Sequence, residues 1–436
     1  MKLPESVNIL LLGGGGRECA FARKIAQSPK LGRLFIAPGN GGTDGYGMNV
    51  DINPLDFSVV GQFVVNNHIN LVVVGPEEPL VRGIKDFFIE NEDIRHIAVL
   101  GPSGAAAALE GSKDFAKDFM VRHNIPTARY LTVTSDTLEQ GYEFLESLSS
   151  PYVLKADGLA AGKGVLIIDD LTKAKEQLRD MIVGKKFGDA SVKVVIEEFL
   201  SGIEMSVFVA TDSVGYKILP SAKDYKRVGQ GDTGLNTGGM GAVSPVPFAT
   251  EEFMEKVRLQ VVEPTINGII EDALDYKGFV FIGLINCDGQ PKVIEYNVRM
   301  GDPETEVILP RITSDIVDLF DGIVNRTLDE KTIEITPQTA LTVVCTSGGY
   351  PESYAKGYPI EGLNTYFGME TMVYHSGTVK RRNVVSTAGG RVLAVTALGD
   401  NIAQARERAY AAVNQISYTD KYSRSDIGCD LMLLEK

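Results

Sequence analysis

The first hundred residues alternate between short apolar runs and segments with a helical spacing of apolar residues. The apolar runs cover residues 7–12, 34–37, 71–74 and 98–100, and the helical segments cover 17–28, 56–67 and 80–91. This alternation predicts an α/β unit with a parallel sheet and right-handed crossovers. Ligands of such sheets bind at the carboxyl ends of the strands, which here lead into residues 13–17, 38–43 and 75–80.

A run of four glycines, Gly13 to Gly16, follows the first predicted strand and precedes Arg17 and Glu18. Backbone N–H groups at a helix N-terminus bind anions. The run does not fit a dinucleotide fingerprint, because Glu18 takes the place of the last glycine and no acid follows the second strand. We interpret it as a phosphate or sugar-phosphate site in preference to an NAD site. A tight turn without a ligand is the alternative.

Length and charge narrow the class of protein. A chain of 436 residues exceeds a single hydrophobic core, so about two to four domains are expected. The net charge of −14 argues against nucleic acid as a partner. The four cysteines form no Cys-x-x-Cys pair, which favours reduced packing thiols in a cytoplasmic protein. No apolar run approaches the length needed to cross a membrane.

A second unit, beginning after residues 124–127, carries a glycine-rich loop between two predicted strands. The strands cover 152–155 and 165–168, and the loop 156–164 has Lys155 and Lys163 on its two limbs. Such a loop can close over phosphates as a flap, and it is not a Walker loop because no Gly-Lys-Ser/Thr opens a helix. A further strand, 192–196, leads into residues 197–200.

The rest of the chain is predicted from the same signals. Residues 223–244 are rich in glycine and polar groups, and we interpret them as a long irregular loop ordered around a substrate. Further helices are predicted over 104–123, 251–273, 311–325 and 402–415, and further strands over 204–210, 216–220, 278–285, 340–345, 372–374 and 391–397. A boundary at 330–337 separates off the last hundred residues.

Three polar side chains alternate at the end of a predicted strand. Glu295, Asn297 and Arg299 lie on one side of it, and Gly301-Asp302-Pro303 ends the strand. Carboxylate and amide oxygens suit Mg²⁺, and an adjacent arginine suits a phosphate. A solvated face of an edge strand would give the same alternation, and the triplet alone does not separate the two interpretations.

Together these motifs closely resemble the phosphoribosylamine–glycine ligase family of the ATP-grasp superfamily. The matching stretches are collinear and span nearly the whole chain: 13–18, 37–43, 74–80, 101–119, 155–164, 196–200, 224–227, 236–245, 295–304, 348–351 and 389–399. The resemblance implies an α/β (α+β) chain with an ATP-grasp fold. It implies an N-terminal parallel α/β domain (1–113), an ATP-grasp domain (114–322) with a flap subdomain (about 126–195), and a small C-terminal α+β domain (335–436).

The resemblance implies a cytoplasmic ligase of purine biosynthesis. The enzyme would join glycine to 5-phosphoribosylamine through glycyl phosphate, giving glycinamide ribonucleotide, ADP and phosphate. It would require ATP with Mg²⁺ or Mn²⁺. Its partners would be these small molecules, with neither nucleic acid nor membrane, and it would be a monomer or a small homo-oligomer. Such chemistry needs charge stabilisation more than a nucleophile, and the chain shows no Ser-His-Asp or Cys-His arrangement.

Individual roles follow from the same resemblance. Glu295 and Asn297 are the implied metal ligands. Arg299, Lys155 and Asp224 are the implied catalytic residues, with Asp224 as the partner of the glycine ammonium. The implied nucleotide-binding residues are Lys113, Lys155, Gly162, Lys163, Gly164, Glu197, Glu198, Phe199, Leu200 and Glu204. The implied substrate-binding residues are Gly15, Gly16, Arg17, Gly39, Asn40, Glu77, Asp224, Lys226, Asn236, Thr237, Gly238, Gly239, Arg299, Gly301 and Asp302. Asp302 and Glu304 are expected to position either Arg299 or glycine.

The chain departs from the family pattern at Gly14, Cys19 and Met300, where Asn or Ser, His, and Phe are common. It also lacks the acid that many ATP-grasp enzymes carry on the strand before Glu295, which leaves Asn286 as the only nearby oxygen ligand. The alternatives are a nucleotide-cofactor oxidoreductase, a non-catalytic nucleotide sensor, and another ATP-grasp carboxylate–amine ligase or carboxylase. The retained metal ligands and flap lysine count against the sensor.

Overall fold

The computed structural model describes residues 3–158 and 164–435. The strands are β1 Val7–Gly13, β2 Leu31–Pro38, β3 Met48–Asn49, β4 Leu71–Val74, β5 Ala98–Pro102, β6 Tyr130–Val133, β7 Tyr152–Ala156, β8 Val165–Ile168, β9 Val194–Glu198, β10 Ile203–Thr211, β11 Tyr216–Ile218, β12 Lys223–Asp224, β13 Arg227–Gly229, β14 Thr233–Asn236, β15 Gly241–Ser244, β16 Tyr276–Cys287, β17 Gln290–Asn297, β18 Thr339–Thr346, β19 Thr371–His375, β20 Thr378–Arg381, β21 Val384–Thr387 and β22 Arg391–Gly399. The α-helices are α1 Gly16–Ile25, α2 Phe57–Asn66, α3 Glu77–Val81, α4 Ile84–Glu90, α5 Gly104–Gly111, α6 Lys113–Arg122, α7 Leu138–Glu146, α8 Leu171–Ile182, α9 Glu251–Val257, α10 Glu263–Glu271, α11 Thr305–Ile308, α12 Ile316–Asn325, α13 Ile402–Gln415 and α14 Cys429–Met432.

The predicted parallel sheet of the first hundred residues is confirmed. Its strands run in the order β3-β2-β1-β4-β5, and each neighbouring pair is parallel. The apolar runs are buried except at Asn8 and Ala98, because helices cover both faces of such a sheet. The sheet then continues across β5 onto antiparallel β16, which pairs Tyr276 with Pro102 and Lys277 with Gly101. Strands β10, β11 and β17 complete the sheet, so the parallel strands and the strand that carries Glu295 belong to one continuous nine-stranded sheet.

A separate four-stranded antiparallel sheet follows the order β6-β9-β7-β8. Helices α7 and α8 pack on it around its own apolar cluster, which includes Leu145, Leu154, Leu178 and Ile196. The two strands at its centre, β7 and β9, carry Lys155 and Glu197. The predicted loop between β7 and β8 includes residues 159–163, which lie outside the described residues.

The prediction of one long irregular loop over residues 223–244 is wrong. This stretch contains the hairpin β13-β14 and the strands β12 and β15. Strand β15 is entirely buried and pairs with β18, so the stretch joins a five-stranded sheet in the order β12-β15-β18-β22-β19. Its partner strand lies about a hundred residues further on, beyond the reach of any local pattern.

Several predicted helical segments differ from the observed ones. The segment 80–91 covers the end of α3 and all of α4, which are separated by Arg82 and Gly83. The segment 104–123 forms two helices, because the Ser112 side chain accepts a hydrogen bond from Phe115 N (3.1 Å) and caps α6. The segment 311–325 becomes helical only at Ile316, after the cap Asp315. The segment 251–273 ends at Glu271 and contains a π-helical turn at Arg258–Val262. Within the described part of the chain, no helix is long and apolar enough to span a membrane.

Candidate active site

The glycine run wraps tightly around the side chain of Glu18. Gly15 N donates to Glu18 Oε2 (2.7 Å), and Gly13 has a φ of +119°, which a residue with a side chain rarely adopts. A Cβ atom on Gly14 would lie 2.5 Å from the carbonyl oxygen of Gly39, so the first two loops touch through their backbones. The structure therefore brings the predicted residues Gly15, Gly16 and Gly39 together at the N-terminus of α1.

The Asn40 side chain holds these loops in place. Its Nδ2 donates to Gly14 O (3.0 Å) and to His375 O (2.7 Å). Its Oδ1 accepts from the N–H groups of Gly42 (2.9 Å) and Thr43 (3.2 Å). Both ends of the amide are therefore engaged by backbone groups of three segments.

Arg17 connects the glycine run to the stretch after β17. Its Nε donates to Glu18 Oε1 (2.6 Å) and its Nη1 to Met300 O (3.2 Å), while its backbone N–H lies 3.5 Å from Asp302 Oδ2. The side chain is buried, and burial alone would lower the pKa of Arg17. The negative charges of Glu18, Asp302 and Glu77 outweigh that effect and raise the pKa above its ordinary value. Two predicted substrate stretches, almost three hundred residues apart in sequence, thus share one wall.

Arg299 lies just beyond the end of β17 and is held by two carboxylates. Its Nη2 donates to Glu110 Oε1 (2.8 Å), and its Nε lies 3.4 Å from Glu77 Oε2. Glu110 is 6% exposed, and its second oxygen accepts from Val298 N (2.8 Å). The buried Arg299 Nε has no aligned hydrogen bond within the described residues. The Nε–H group of Arg299 is therefore a buried donor without an aligned acceptor among the described residues.

Glu77 lies between two arginines. Burial opposes its ionisation, but Arg299 and Arg17 together hold the pKa of Glu77 below its ordinary value. Burial raises the pKa of Glu110, with Arg299 acting against it. The two carboxylates beside Arg299 are therefore unequal, and Glu77 is the more accessible and more readily ionised of the pair.

Glu295 and Asn297 alternate on β17 as predicted, both partly exposed between the buried Tyr296 and Val298. Glu295 pairs with Gly283 of β16, where an added Cβ would lie 3.1 Å from Glu295 Cγ, so the glycine leaves room for the carboxylate. Asn286 is not a further oxygen ligand beside Glu295. It lies three residues along β16, and its Oδ1 accepts from Gly289 N (2.7 Å) in the hairpin turn.

The predicted nucleotide lysines approach Glu295 from strand β7 of the four-stranded sheet and from the first residue of α6. Lys155 Nζ lies 2.9 Å from Glu197 Oε1 and 3.4 Å from Ile294 O. Lys113 Nζ donates to Gly158 O (3.2 Å), and burial lowers the pKa of Lys113 while Glu295 acts against it. The structure thus brings Lys113, Lys155, Glu197 and Glu295 into one polar cluster.

The other predicted nucleotide residues lie along the edge of the flap sheet. Glu198 Oε1 accepts from Arg129 N (3.0 Å), the Phe199 side chain is exposed, and Leu200 is partly buried. Gly164 O accepts from Ala156 N (2.8 Å) at the base of the flap loop. Gly162 and Lys163 lie outside the described residues.

Glu204, Asp224 and Lys226 form a charged group beside Glu295. Lys226 Nζ lies 2.9 Å from Glu204 Oε2, and both side chains remain about half-exposed. Desolvation alone would lower the pKa of Lys226. The nearby carboxylates of Asp224, Glu204 and Glu295 outweigh desolvation and raise that pKa well above its ordinary value. Burial raises the pKa of Asp224, with Lys226 acting against it.

Glu304 lies deeper, next to Gly301 and Asp224. Ser206 Oγ donates to Glu304 Oε1 (3.2 Å), and burial raises the pKa of Glu304 to about 7, with the charge of Asp224 adding to the shift. An added Cβ on Gly301 would lie 2.7 Å from Glu304 Cδ, so this glycine admits the buried carboxyl. Glu304 therefore lies on the side of Asp224, and within the described residues it forms no hydrogen bond with Arg299.

The predicted residues Asn236 to Gly239 are held by the C-terminal sheet. Thr237 Oγ1 donates to Lys226 O (2.8 Å) and accepts from Gly239 N (2.9 Å), while Asn236 is exposed in β14. Gly238 N donates to Tyr350 Oη (3.0 Å), and Gly238 O accepts from Arg391 Nη1. Arg391 also contacts Asp302 through its carbonyl oxygen (2.9 Å) and its Oδ1 (3.0 Å).

Cys19 and His375 meet in the fold but form no catalytic pair. His375 N donates to Cys19 Sγ (3.3 Å), and the imidazole Nδ1 lies 3.1 Å from Thr378 Oγ1. Burial raises the pKa of the Cys19 thiol to about 12 and lowers the pKa of His375 to about 4. Both groups are neutral packing residues at neutral pH. Of the remaining cysteines, Cys429 is exposed, so the prediction of packing thiols is wrong for it.

Sequence reasoning missed Glu110, Lys117 and Arg391. Glu110 precedes Gly111-Ser112-Lys113, and Lys117 lies one helical turn after Lys113. Like charges at this spacing are unfavourable on an isolated helix, which is a local signal that these lysines have anionic partners. Arg391 begins a strand of the C-terminal sheet, and nothing local in its sequence indicates a contact with residues 238 and 302.

The described residues contain no group of three or more His, Cys, Asp or Glu that would form a metal cage built from protein alone. Glu295 and Asn297 offer two oxygen ligands on one side of a strand, close to the lysines. That donor set fits Mg²⁺, which binds one or two protein oxygens and completes its shell with water and phosphate.

Comparisons with known proteins agree along the chain. Three domain profiles of phosphoribosylglycinamide synthetase match in succession: the N domain over residues 7–110, the ATP-grasp (A) domain over 111–305 and the C domain over 340–430. Phosphoribosylamine–glycine ligase of Allochromatium vinosum is 46% identical over 427 residues, which cover 97% of this chain and 98% of that protein. A bifunctional purine biosynthetic protein of Pichia angusta is 44% identical, and the chain spans 54% of its length.

Solved structures show the same similarity. The crystal structure of phosphoribosylamine–glycine ligase from Thermotoga maritima matches with a TM-score of 0.81 and 33% identity, covering 97% of this chain and all of that one. The biotin carboxylase domain of Hydrogenobacter thermophilus 2-oxoglutarate carboxylase, solved with MgADP, matches with a TM-score of 0.72 at 15% identity and shares the fold, covering 95% of this chain and 91% of that chain. Both the predicted α/β fold and the resemblance are confirmed, and the chain belongs to the phosphoribosylamine–glycine ligase family of ATP-grasp enzymes.

Proposed function

We propose that this chain joins glycine to 5-phosphoribosylamine in two steps at the cluster around Glu295 and Arg299. In the first step a glycine carboxylate oxygen attacks the γ-phosphorus of ATP, forming glycyl phosphate and releasing ADP. In the second step the amine of phosphoribosylamine attacks the acyl carbon, and phosphate leaves with the oxygen that came from glycine. The observation that carries the proposal is the approach of Lys113 and Lys155 to Glu295, on the strand that leads through Asn297 to Arg299, since anionic reactants need such cations.

In this proposal the nucleotide lies between the two sheets. Lys113 and Lys155 bind its phosphates, the backbone of residues 197–200 binds adenine, and Glu204 binds the ribose. Mg²⁺ or Mn²⁺ held by Glu295 and Asn297 would neutralise charge on the phosphates when bound. The flap residues Gly162, Lys163 and Gly164 are assigned to covering the phosphates.

Glycine binds beside the nucleotide in the pocket of Asp224, Lys226 and residues 236–239. Asp224 accepts the glycine ammonium, and partial desolvation strengthens that ion pair. The carboxylate of glycine then points at Arg299, whose guanidinium charge attracts the transferring phosphate. Gly301 and Asp302 close the pocket on the side of the second substrate.

Phosphoribosylamine binds at the wall formed by Gly15, Gly16, Arg17, Gly39 and Asn40. The N-terminus of α1 and the Arg17 side chain attract its phosphate. Because the amide of Asn40 is already engaged by backbone groups, we assign Asn40 to shaping this wall. Glu77 is held ionised by its two arginines and accepts hydrogen bonds from the ribose hydroxyls or the amine.

We further propose the domain limits 1–113, 114–322 with the flap subdomain at about 126–195, and 335–436. We place the enzyme in the cytoplasm as a monomer or small homo-oligomer. Its substrates are small molecules, and neither nucleic acid nor a membrane takes part. The acidic net charge of −14 supports the exclusion of nucleic acid.

The test of the reaction is ADP release with ATP and Mg²⁺ while glycine or phosphoribosylamine is omitted in turn. We expect ADP release only when both glycine and phosphoribosylamine are present. Turnover that ignores glycine would contradict it, and would instead favour another ATP-grasp carboxylate–amine ligase.

The test of the intermediate is an isotope transfer. Glycine labelled with ¹⁸O in its carboxylate should deliver one labelled oxygen to inorganic phosphate per turnover, because the attacking oxygen leaves with the phosphate. Unlabelled phosphate together with normal product would exclude glycyl phosphate while leaving the overall reaction intact.

A further inference from the structure

Lys117 is a buried cation that the proposed mechanism does not use. It lies on α6, and its side chain is 2% exposed. Its Nζ is 3.1 Å from Glu197 Oε2 and donates to Thr127 Oγ1 (2.7 Å). Burial lowers the pKa of Lys117 to about 8, and the charge of Glu197 acts against that shift. A buried ammonium is costly unless it is paired, so its position calls for a physical reason.

The carboxylate of Glu197 is shared between two lysines. Its Oε2 faces Lys117 and its Oε1 faces Lys155 at 2.9 Å, and both lysines hold the pKa of Glu197 below its ordinary value against the effect of burial. Within the described residues, Oε1 accepts no aligned hydrogen bond. Glu197 and the two lysines together therefore carry a net positive charge.

Lys155 faces a competition between Glu197 and the nucleotide. Under the proposed function, on which this inference rests, its ammonium turns towards the phosphates. If Lys155 were the only partner of Glu197, that movement would leave an unpaired carboxylate that is 6% exposed, which is strongly unfavourable. With Lys117 in place, the carboxylate keeps a cation when Lys155 leaves.

A second partner holds Lys117 in place, so Lys117 does not move towards the phosphates with Lys155. Its second partner, Thr127 Oγ1, donates to Val293 O of β17 (2.7 Å). A chain of contacts thus runs from Glu197 through Lys117 and Thr127 to the strand that carries Glu295. This anchors Lys117 between the two sheets that enclose the nucleotide.

We propose that Lys117 is a positioning residue that retains Glu197 and so frees Lys155 to bind the phosphates of ATP. It acts through Glu197 and touches no substrate. Replacing it should lower the affinity for phosphates and leave the affinity for the adenine and ribose portion unchanged.

The test compares the dissociation constants of ATP and adenosine by calorimetry in four variants of the full chain. Lys117→Met should weaken ATP binding by about tenfold, because Glu197 then holds Lys155, with adenosine binding changed by less than about twofold. Lys117→Met combined with Glu197→Gln should bring ATP affinity back to within about threefold of the parent, because no carboxylate remains to hold Lys155. Lys175→Met is the matched control, since it removes a partly exposed lysine on α8 that pairs with Glu146 (2.5 Å). It should leave the binding of both ATP and adenosine unchanged.

The outcomes separate this inference from the proposed function. Equal weakening of ATP and adenosine by Lys117→Met, or no recovery with Glu197→Gln, would show a merely structural lysine and overturn the inference. Lys155→Met should weaken ATP binding by about tenfold and change adenosine binding by less than about twofold. If Lys155→Met leaves ATP binding unchanged, the proposed phosphate contact fails, and the inference fails with it. If Lys155→Met weakens ATP binding and Lys117→Met does not, the inference alone is overturned.

Discussion

Replacing Glu110 by glutamine should displace Arg299 and lower kcat/KM. The loss of activity should be larger than the accompanying loss of unfolding free energy could explain. The carboxylate makes two charge-assisted contacts, one with Arg299 Nη2 and one with Val298 N, each 2.8 Å long. Glutamine has one acceptor oxygen, so one of the two donors would face an NH₂ group. A lost hydrogen bond to a charged group costs about 1.5–3 kcal/mol.

The second carboxylate does not compensate for this loss. Glu77 lies 3.4 Å from Arg299 Nε and its side chain is 36% exposed, so that contact contributes about 0–1 kcal/mol. Arg299 would shift from its position, and a displacement of about 1 Å at a reacting centre costs about 100-fold in rate. We therefore expect kcat/KM to fall by about 100-fold, with a loss of unfolding free energy of about 2–3 kcal/mol.

The assay is ADP release under saturating ATP and Mg²⁺, with thermal unfolding measured on the same samples. The control is Glu78→Gln, which removes the charge of an exposed carboxylate paired with Arg82 at 2.6 Å and should leave activity unchanged. If Glu110 acts through Arg299, adding Glu110→Gln to Arg299→Met should cost less than about threefold further. Losses that multiply in the double variant, or a single variant within fivefold of the parent, would refute the reasoning.

Three further predictions concern other parts of the site. Glu295→Gln should reduce turnover by several orders of magnitude through lost metal binding, and near-normal ADP release would show that the metal ligands are assigned wrongly. The raised pKa of Glu304, about 7, means that the folded protein retains a proton there which the unfolded chain loses near its ordinary pKa of 4.5. Stability should therefore fall as pH rises through this interval, and Glu304→Gln should flatten the dependence of Tm on pH between 5 and 8; an unchanged slope would contradict the assignment. Arg391→Met removes the contacts with Gly238 and Asp302, so the KM for glycine or phosphoribosylamine should rise about tenfold while the KM for ATP stays within twofold; an equal rise in all three would indicate general loosening of the fold.

The sequence predicted those parts of the fold that depend on local pattern. Strands β1, β2, β4 and β5 each contain a short apolar run, because both faces of the sheet are covered, and such runs are visible without partners. Strand β15 has the same burial, but it begins with a glycine, ends with a serine and follows a stretch of glycines and charges, and its partner β18 is about a hundred residues away. Its pairing could not be read locally, and this is why residues 223–244 looked irregular.

The site divides in the same way. The alternation of Glu295 and Asn297 predicted their shared side, because strand geometry fixes it. The contact between Glu110 and Arg299 joins positions 189 residues apart, and no spacing rule reaches that distance. Asn40 shows the opposite difficulty: its residue type suits a ligand, yet its amide is occupied by backbone groups of three loops.

The pairing of β15 with β18 has a consequence for the order in which the enzyme matures on the ribosome. Residues 223–244 leave the ribosome well before β18 and β22, which supply the neighbours for β15 and the arginine that contacts Gly238. At about 5–20 residues per second, some 150 further residues take on the order of ten seconds to be made. During that time the nascent chain already has its parallel sheet and the flap sheet, but residues 223–244, part of the pocket proposed for glycine, have no sheet to join. We expect a partly synthesised chain to bind ATP without being able to commit it to glycine, so catalytic competence should arrive only when synthesis is nearly complete.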